Sequence, residues 1–383
     1  PPRSTLFPYT TLFRSIHGFA MTLGIGILTS LFTAIFISRL FFEWFLTRNW
    51  KINFSIPFTE NTLRNANFDF IGKRKILYYA SAIYLSIAII SIVVRGFSYS
   101  IDFTGGRTYI VKFTENVNTV EMGEMLGKSL GEIPEVKTFG DANQVKITTK
   151  YLISEEELND AQKAEIVAII GEKEEIEVDD AVEAKIYAGL KPVLGDNVTF
   201  DQFINDYRQS SEKVGPTIAD DIKIAAVYSI LFALIVIFIY IVIRFRNWQY
   251  GIGAISSLIH DVLIILGTYS LFYSVMPFSM SIDQSFIAAI LTVVGYSIND
   301  TVVVFDRIRE YTHLYPKRGR KEVMNQAMNN TLGRTLNTAM TTLVVLFAIF
   351  MFGGEVIQGF VFAMLIGIGV GTYSSIFSAA NIN

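Results

Sequence analysis

The 383-residue chain contains no cysteine, which removes disulfides and any Cys-based metal or redox chemistry. Charge is also scarce, at 17% of residues against 51% hydrophobic, with a mean hydropathy of +0.41. Soluble domains do not have this balance, and polytopic membrane proteins do. No Gly-x-x-x-x-Gly-Lys-Ser/Thr loop is present, so the sequence carries no Walker-type nucleotide site. Proline is absent from the long apolar runs, and all nine prolines fall in the N-terminal tail, the loops or one large polar region. The runs are therefore expected to be continuous helices.

A helix needs about 20 apolar residues to cross the hydrocarbon core. Seven stretches qualify: 18–42, 76–95, 222–243, 250–272, 284–305, 335–353 and 355–379. Positive charge clusters between alternate spans: Arg48, Lys51, Arg64, Lys73, Arg74 and Lys75, then Arg244 and Arg246, then Arg307, Arg309, Lys317, Arg318, Arg320 and Lys321. The positive-inside rule puts these three loops in the cytoplasm. The opposite connections, "YSVMPFSMSID" and "GGEV", hold no Lys or Arg. Residues 97–221 then lie outside, with 25 acidic and 12 basic side chains, whereas the rest of the chain has 10 and 20. That acidity is read first as a solvated exterior surface and second as a site for a basic partner.

Inside this exterior region "GGRTYIVKF" alternates as a strand and "TVEMGEMLGKSLGEI" has helical spacing. "EVKTFG" and "QVKITTK" read as a strand pair across "DAN". "SEEELNDAQKAEIVAIIGEKEE" opens with a Ser-x-x-Glu capping box and reads as a second helix. The β-α-β-β-α order predicts a ferredoxin-like α+β domain. "EVDDAVEAKIYAGLKPVLGDNVTFDQF", over 177–203, reads as an insertion. The expected organisation is a non-native tail over 1–15, a first helix over 16–48, and a cytoplasmic linker over 49–75. A second helix over 76–95, the exterior domain over 96–221 and five further helices over 222–383 follow. "GFAMTLGIGILTSLFTAIF" (18–36) aligns without gaps to "GFVFAMLIGIGVGTYSSIF" (359–377). Read as a true repeat rather than a resemblance of Gly/Ile-rich helices, it makes the first helix the end of one unit and the other six a second unit.

The fifth span carries Asn299 and Asp300 in "GYSINDTVVVFDRIRE". A carboxylate at the bilayer centre costs about 3 kcal/mol on insertion scales. Thr292, Tyr296, Asn299 and Asp300 share one helical face, and Arg334, Asn337, Thr338, Thr341 and Thr342 form a stripe on the sixth span. An Asp300–Arg334 pair would offset much of the burial cost. It reads either as a structural ion pair or as a proton or ion relay, since a carboxylate between desolvation and an arginine can load and release protons. His260 and Asp261, in "SLIHDVLII", supply a second acid on the fourth span, as relay or as a satisfied core pair. Asp306, Arg307 and Arg309 read as interfacial anchors, and Gly367 and Gly371 as a small-xxx-small packing step. In "SIDFTGG", Asp102, Gly105 and Gly106 read as a tight turn or as a hinge for the exterior domain.

Six stretches in order resemble one family: "SIDFTGG" (100–106), "KVGPTIADDI" (213–222), "LIHDV" (258–262), "VGYSINDTVVVFDRIRE" (294–310), "TLGRT" (331–335) and "LIGIGVGTYSSIF" (365–377). The chain is similar to the SecD/SecF protein-export membrane proteins, a branch of the resistance-nodulation-division superfamily. The SecF half covers about 68–379, and residues 16–48 look like the last helix of a SecD half in a fused, N-terminally truncated SecDF. The resemblance implies a polytopic α-helical membrane protein: a six-helix bundle plus one preceding helix, with an exterior α+β domain. It implies a multi-pass protein of the bacterial inner membrane that promotes preprotein translocation with the proton motive force. It also implies Asp300 as relay carboxylate with Arg334 as its partner. No cofactor is expected beyond the proton gradient, with Na+ as the alternative coupling ion. Implied partners are the SecYEG channel, SecA as the ATP-hydrolysing motor, YajC-like and YidC-like subunits, preproteins and the lipid bilayer, and no nucleic acid. The rival readings are a proton-driven small-molecule exporter of the same superfamily, an intramembrane aspartyl protease using Asp261 and Asp300, and a passive assembly factor. The modest exterior domain argues against the first, and the lack of Gly-x-Gly-Asp before either acid argues against the second.

Overall fold

The computed structural model describes residues 9–50, 67–154, 157–171, 176–195, 197–276 and 278–378. The start of the expected tail, most of the 49–75 linker and the 155–156 part of the expected capping box lie outside these residues. Among the described residues, seven helices are long and apolar enough to cross a membrane. The first runs through α1 (Tyr9–Phe32), a π-helical turn at Thr33–Ile37 and α2 (Ser38–Thr47). α3 (Phe70–Arg95) follows, capped by the Asp69 carboxylate, which accepts from the Gly72 N–H. After the exterior domain come α9 (Pro216–Phe245), α10 (Trp248–Phe272), α11 (Gln284–Leu314), α12 (Arg320–Phe352) and α13 (Glu355–Ser378). Pro216 stands at the first position of α9, where its missing N–H costs nothing.

α13 packs against α10, α11 and α12, while α3 and α9 flank α10. The core between them is built from Leu258, Ile265, Tyr269, Phe286, Ile290, Val293 and Ala363. Three helices extend beyond the apolar runs at the end of the bundle away from the sheet domain: α3 begins at Phe70, α11 continues to Leu314 and α12 begins at Arg320. The expected 306–334 loop is thus mostly helix. Helical periodicity continues there as an amphipathic pattern, with Ile308, Val323, Met324, Ala327 and Met328 buried. Asn325 and Asn329 clamp the start of α3, accepting from the Ile71 N–H (3.1 Å) and the Phe68 N–H (2.8 Å).

The exterior region begins with a four-residue helix, α4 (Ile101–Thr104), and β1 (Gly106–Lys112). α5 (Thr119–Leu130), β2 (Glu135–Phe139), β3 (Asp141–Thr149), α6 (Asp160–Ile170), α7 (Val178–Leu194), α8 (Phe200–Gln202) and β4 (Arg208–Val214) complete it. The sheet order is β2-β3-β1-β4 with every neighbour antiparallel, as a ferredoxin-like topology requires. The hairpin turns at Gly140 (φ +80°), one residue before the "DAN" expected to make it. Tyr109, Val111, Val145 and Ile147 point to one face, which α5 and α7 cover with Leu126, Val182, Ile186 and Leu190. α7 is therefore the second helix of the domain, although its sequence reads as an insertion. α6 lies outside it on a separate small cluster of Leu158, Ile166 and Ala181. α6 starts at Asp160 behind an Asn159–Gln162 capping box, later than the sequence pattern predicts. The guanidinium of Arg107, 2% exposed, is held within the domain by Asp179 (2.7 Å) and the Tyr151 carbonyl (2.9 Å).

Candidate functional site in the membrane bundle

Asp261 is fully buried on α10. Its Oδ2 accepts hydrogen bonds from Ser297 of α11 and Ser374 of α13, each at 2.8 Å, and its Oδ1 meets His260 Nδ1 at 3.1 Å. The path continues outward from the imidazole. His260 Nε2 lies 3.1 Å from Ser81 Oγ of α3, which lies 3.2 Å from the Tyr373 hydroxyl, and Tyr373 donates to the Leu77 carbonyl at 3.2 Å. A second layer closes the carboxylate side: Ser257 donates to Ser374 at 2.9 Å, and Thr301 and Ser375 both donate to the Ser297 carbonyl. Glycine makes the assembly possible. A Cβ on Gly371 would come 3.1 Å from Ser297 Cβ and 3.5 Å from Asp261 Oδ2, and one on Gly367 would come 2.4 Å from Val293. The small-xxx-small step of α13 therefore brings serines against Asp261 as well as packing helices. The sequence by itself assigns no role to Ser81, Ser257, Ser297, Ser374 or Tyr373, although Ser257 lies in "SLIHDVLII", Ser297 in "GYSINDT", and Tyr373 and Ser374 in "GTYSSIF".

Asp300 is one turn along α11 from Ser297 and is 4% exposed. Its Oδ2 is buried without a hydrogen-bond partner among the described residues, as is Thr335 Oγ1 on neighbouring α12. The expected direct pair of Asp300 with Arg334 is not formed: among the described residues no ion pair within 4.0 Å joins them, and the Arg334 side chain is exposed. Asn299 is exposed as well, because the 100° step between successive helical residues carries it off the face that holds Asp300. The threonine stripe of α12 is largely satisfied by its own helix, since Thr338, Thr341 and Thr342 donate to the carbonyls of Arg334, Asn337 and Thr338. Asn299, Arg334, Asn337 and Thr341 thus form exposed polar positions on membrane-spanning helices. About two turns further along α11, Asp306 bonds Arg244 at 3.0 Å with both side chains 42% exposed, as interfacial anchors do.

On the exterior side Asp102 lies in α4, followed by Gly105 (φ +69°) and Gly106 (φ +144°). A Cβ on Gly105 would meet Pro216 at 3.3 Å, and one on Gly106 would meet the Thr149 carbonyl at 3.0 Å. Both positions demand glycine for conformation and for space. The turn is thus a short helix followed by a glycine pair. The Asp102 carboxylate reaches across to accept from the Gln284 N–H at the start of α11, at 3.2 Å.

Residues 197–383 match the family described as protein export membrane protein SecD/SecF, C-terminal, and residues 90–117 match the SecD/SecF GG motif. The protein translocase subunit SecF of Rhodothermus marinus is 42% identical over 318 residues, covering 83% of this chain and 92% of that protein. The chain belongs to the SecD/SecF family. SecDF of Thermus thermophilus is 32% identical over 378 residues, which is 98% of this chain and 45% of that protein. The crystal structure of that translocon-associated SecDF superimposes with a TM-score of 0.73 at 30% identity, covering 96% of this chain and 44% of the other. The chain thus spans most of a SecF subunit and less than half of a fused SecDF. Gly105 and Gly106 are the glycine pair within the matched SecD/SecF GG-motif segment.

Proposed function

We propose that this SecD/SecF chain promotes preprotein movement through a SecYEG channel and draws its energy from the proton motive force through Asp300. SecA supplies the ATP-driven step, and YajC-like and YidC-like subunits share the assembly. The observation that carries this reading is the pairing of Asp300, buried with an unmet oxygen, with an exposed polar rim of Asn299, Arg334, Asn337 and Thr341. Lipid tails cannot solvate such a rim, so another protein surface must cover it. A SecD-like helix bundle packed there would enclose the relay and bring Arg334 and Asp300 into a shared, water-limited site. Asp261, His260, Ser81 and Tyr373 form a second hydrogen-bonded chain along which protons move between helices. The 96–221 domain faces the periplasm, where it engages the emerging preprotein.

The protease reading is disfavoured by Asp261, whose oxygens are occupied by two serines and a histidine and so are not poised with Asp300 over a common water. The test is Asp300→Asn in the complete SecD/SecF assembly, in inverted vesicles with SecA and ATP. The increment of preprotein translocation produced by an imposed proton gradient should vanish, and the ATP-only rate should remain. Asp306→Asn, at the exposed Arg244 pair, is the control and should keep the increment. Normal gradient stimulation in Asp300→Asn would remove the relay from this account.

A further inference from the structure

The chain segment that enters the exterior domain and the segment that enters α11 are bonded side by side. Tyr99 and Ile282 form a parallel bridge: the Ser100 N–H donates to the Ile282 carbonyl at 3.0 Å, and the Ile282 N–H donates to the Ser98 carbonyl at 2.8 Å. The Ser98 and Ser281 hydroxyls stand 3.2 Å apart. Asp102 then closes the arrangement on the first N–H of α11, while Asp283 caps the same helix through the Phe286 N–H at 2.7 Å. The free N–H groups and dipole at this helix start offset part of the burial of Asp283 and of its repulsion with Asp102. α4 is also seated in the bundle, since Phe103 is buried in the core cluster with Ile222, Ala226 and Phe286. The glycine pair comes only after α4. The Gly105–Gly106 pair therefore separates the exterior sheet from a short helix that belongs mechanically to the bundle.

Asp300 lies 16 residues along α11 from Gln284, about 24 Å at 1.5 Å per residue. A continuous helix is stiff over that length, so a shift or rotation of α11 at Asp300 appears at its outer end. We propose that Asp102 is a positioning residue that clasps the outer end of α11, so that displacement of the relay helix is handed through α4 and the glycine hinge to the exterior domain. The proposal rests on the ion-driven reading above, and its consequence is separate: breaking the clasp uncouples ion movement from work, whereas breaking the relay stops both. Asp102→Asn keeps an oxygen that can accept from Gln284, so it retains coupling. Asp102→Ala and Asp102→Ser remove or shorten the reach of that acceptor, so they lose it.

The experiment uses the complete SecD/SecF assembly in proteoliposomes, with proton flux and preprotein translocation measured together. Asp102→Ala and Asp102→Ser should conduct protons during translocation as the unaltered protein does, while the gradient-dependent increment falls to the ATP-only level. Because the chain has no native cysteine, Ser98→Cys/Ser281→Cys can be oxidised in the Asp102→Ala background to replace the clasp covalently. The increment should return on oxidation and disappear on reduction. Loss of proton flux together with the increment, failure of the disulfide to restore it, or failure of both Asp102 variants to accumulate would each overturn the clasp. A flux that survives Asp300→Asn would instead overturn the relay and leave the clasp result readable by itself.

Discussion

Asp261 allows the hydrogen-bond geometry to be tested against a number. Truncation to alanine removes the acceptor of three contacts, from Ser297, Ser374 and His260. Ser374 is not stranded, because its hydroxyl also reaches the Gly371 carbonyl at 3.1 Å. Ser297 and the imidazole lose their listening partner inside the bundle, and each such buried group costs about 1–3 kcal/mol. His260 keeps its second contact, from Nε2 to Ser81 Oγ at 3.1 Å, so the expected destabilisation is about 2–4 kcal/mol. Asp261→Asn behaves differently. Its carbonyl oxygen can accept from both serines, and its amide can donate to His260 Nδ1 provided Nε2–H then donates to Ser81. Every partner stays satisfied, so asparagine should cost less than about 1 kcal/mol.

The same exchange reverses the direction of the hydrogen bonds from His260 to Ser81 and leaves no carboxyl group to carry a proton. The folded protein should therefore survive Asp261→Asn while its gradient-dependent increment is lost. Thermal midpoints in detergent give the first half, with alanine well below both asparagine and the unaltered chain. The vesicle assay gives the second. If asparagine destabilises as much as alanine, the bonding scheme at Asp261 is wrong. If asparagine leaves the gradient increment intact, Asp261 is a structural acceptor only.

Two further outcomes follow from the exterior half of the molecule. For topology, cysteine at Lys150 should react from outside with an impermeant maleimide and cysteine at Lys317 should not; the reverse would invert the orientation of every span. For stability, Asp179→Asn should weaken the exterior domain by about 1–3 kcal/mol, because the buried Arg107 guanidinium loses its charged partner and keeps only neutral acceptors, and more than Arg107→Met, which leaves Asp179 half exposed beside Lys213. Burial pushes the Asp179 carboxyl up, but hydrogen bonds from Lys213 and Arg107 outweigh it and hold the group below the ordinary carboxylate range. A depressed carboxylate stabilises the fold above its unfolded pKa and loses that contribution as pH falls through the lower folded value. The calorimetric midpoint of the domain should thus be flat near neutrality, fall below about pH 4, and fall less steeply in Asp179→Asn.

The spans were legible because length and hydropathy decide them, and the strand order because alternation survives in "GGRTYIVKF" and "QVKITTK". The second domain helix was misread for a physical reason. α7 carries Val178, Val182, Ile186 and Leu190 at helical spacing, but it opens on Glu177, Asp179 and Asp180 and holds Pro192 in its last turn. Pro192 is tolerated there close to the helix end, and the acidic opening is a favourable N-terminus. In the bundle, spacing fixes how deep a residue lies but not how far its helix is turned toward a neighbour. Asp300 and Arg334 were matched in depth, yet one faces inward and the other outward. The serines around Asp261 were silent for another reason: in an apolar helix a hydroxyl can bond its own backbone four residues back, as Thr338 and Thr341 do, so its partner on another helix has no signature in one chain.

In the proposed relay, the placement of these groups makes α11 the element that would carry the coupling. Its outer end is held by Asp102, Ser297 joins it to Asp261, Asp300 stands one turn further in, and Asp306 ties its inner part to Arg244. Between these points Phe286, Ile290, Val293, Val294, Val304 and Phe305 are buried, so the helix cannot turn about its axis without repacking two clusters. Small displacements of such an element are resisted until a discrete alternative packing is reached, which favours a two-position movement over a graded one. Under the proposed relay, protonation at Asp300 would change the cost of keeping that side chain in its unpaired pocket. An ion step at one face of α11 can therefore select between two positions of the whole helix, and the Asp102 contact is where the exterior domain would follow that selection.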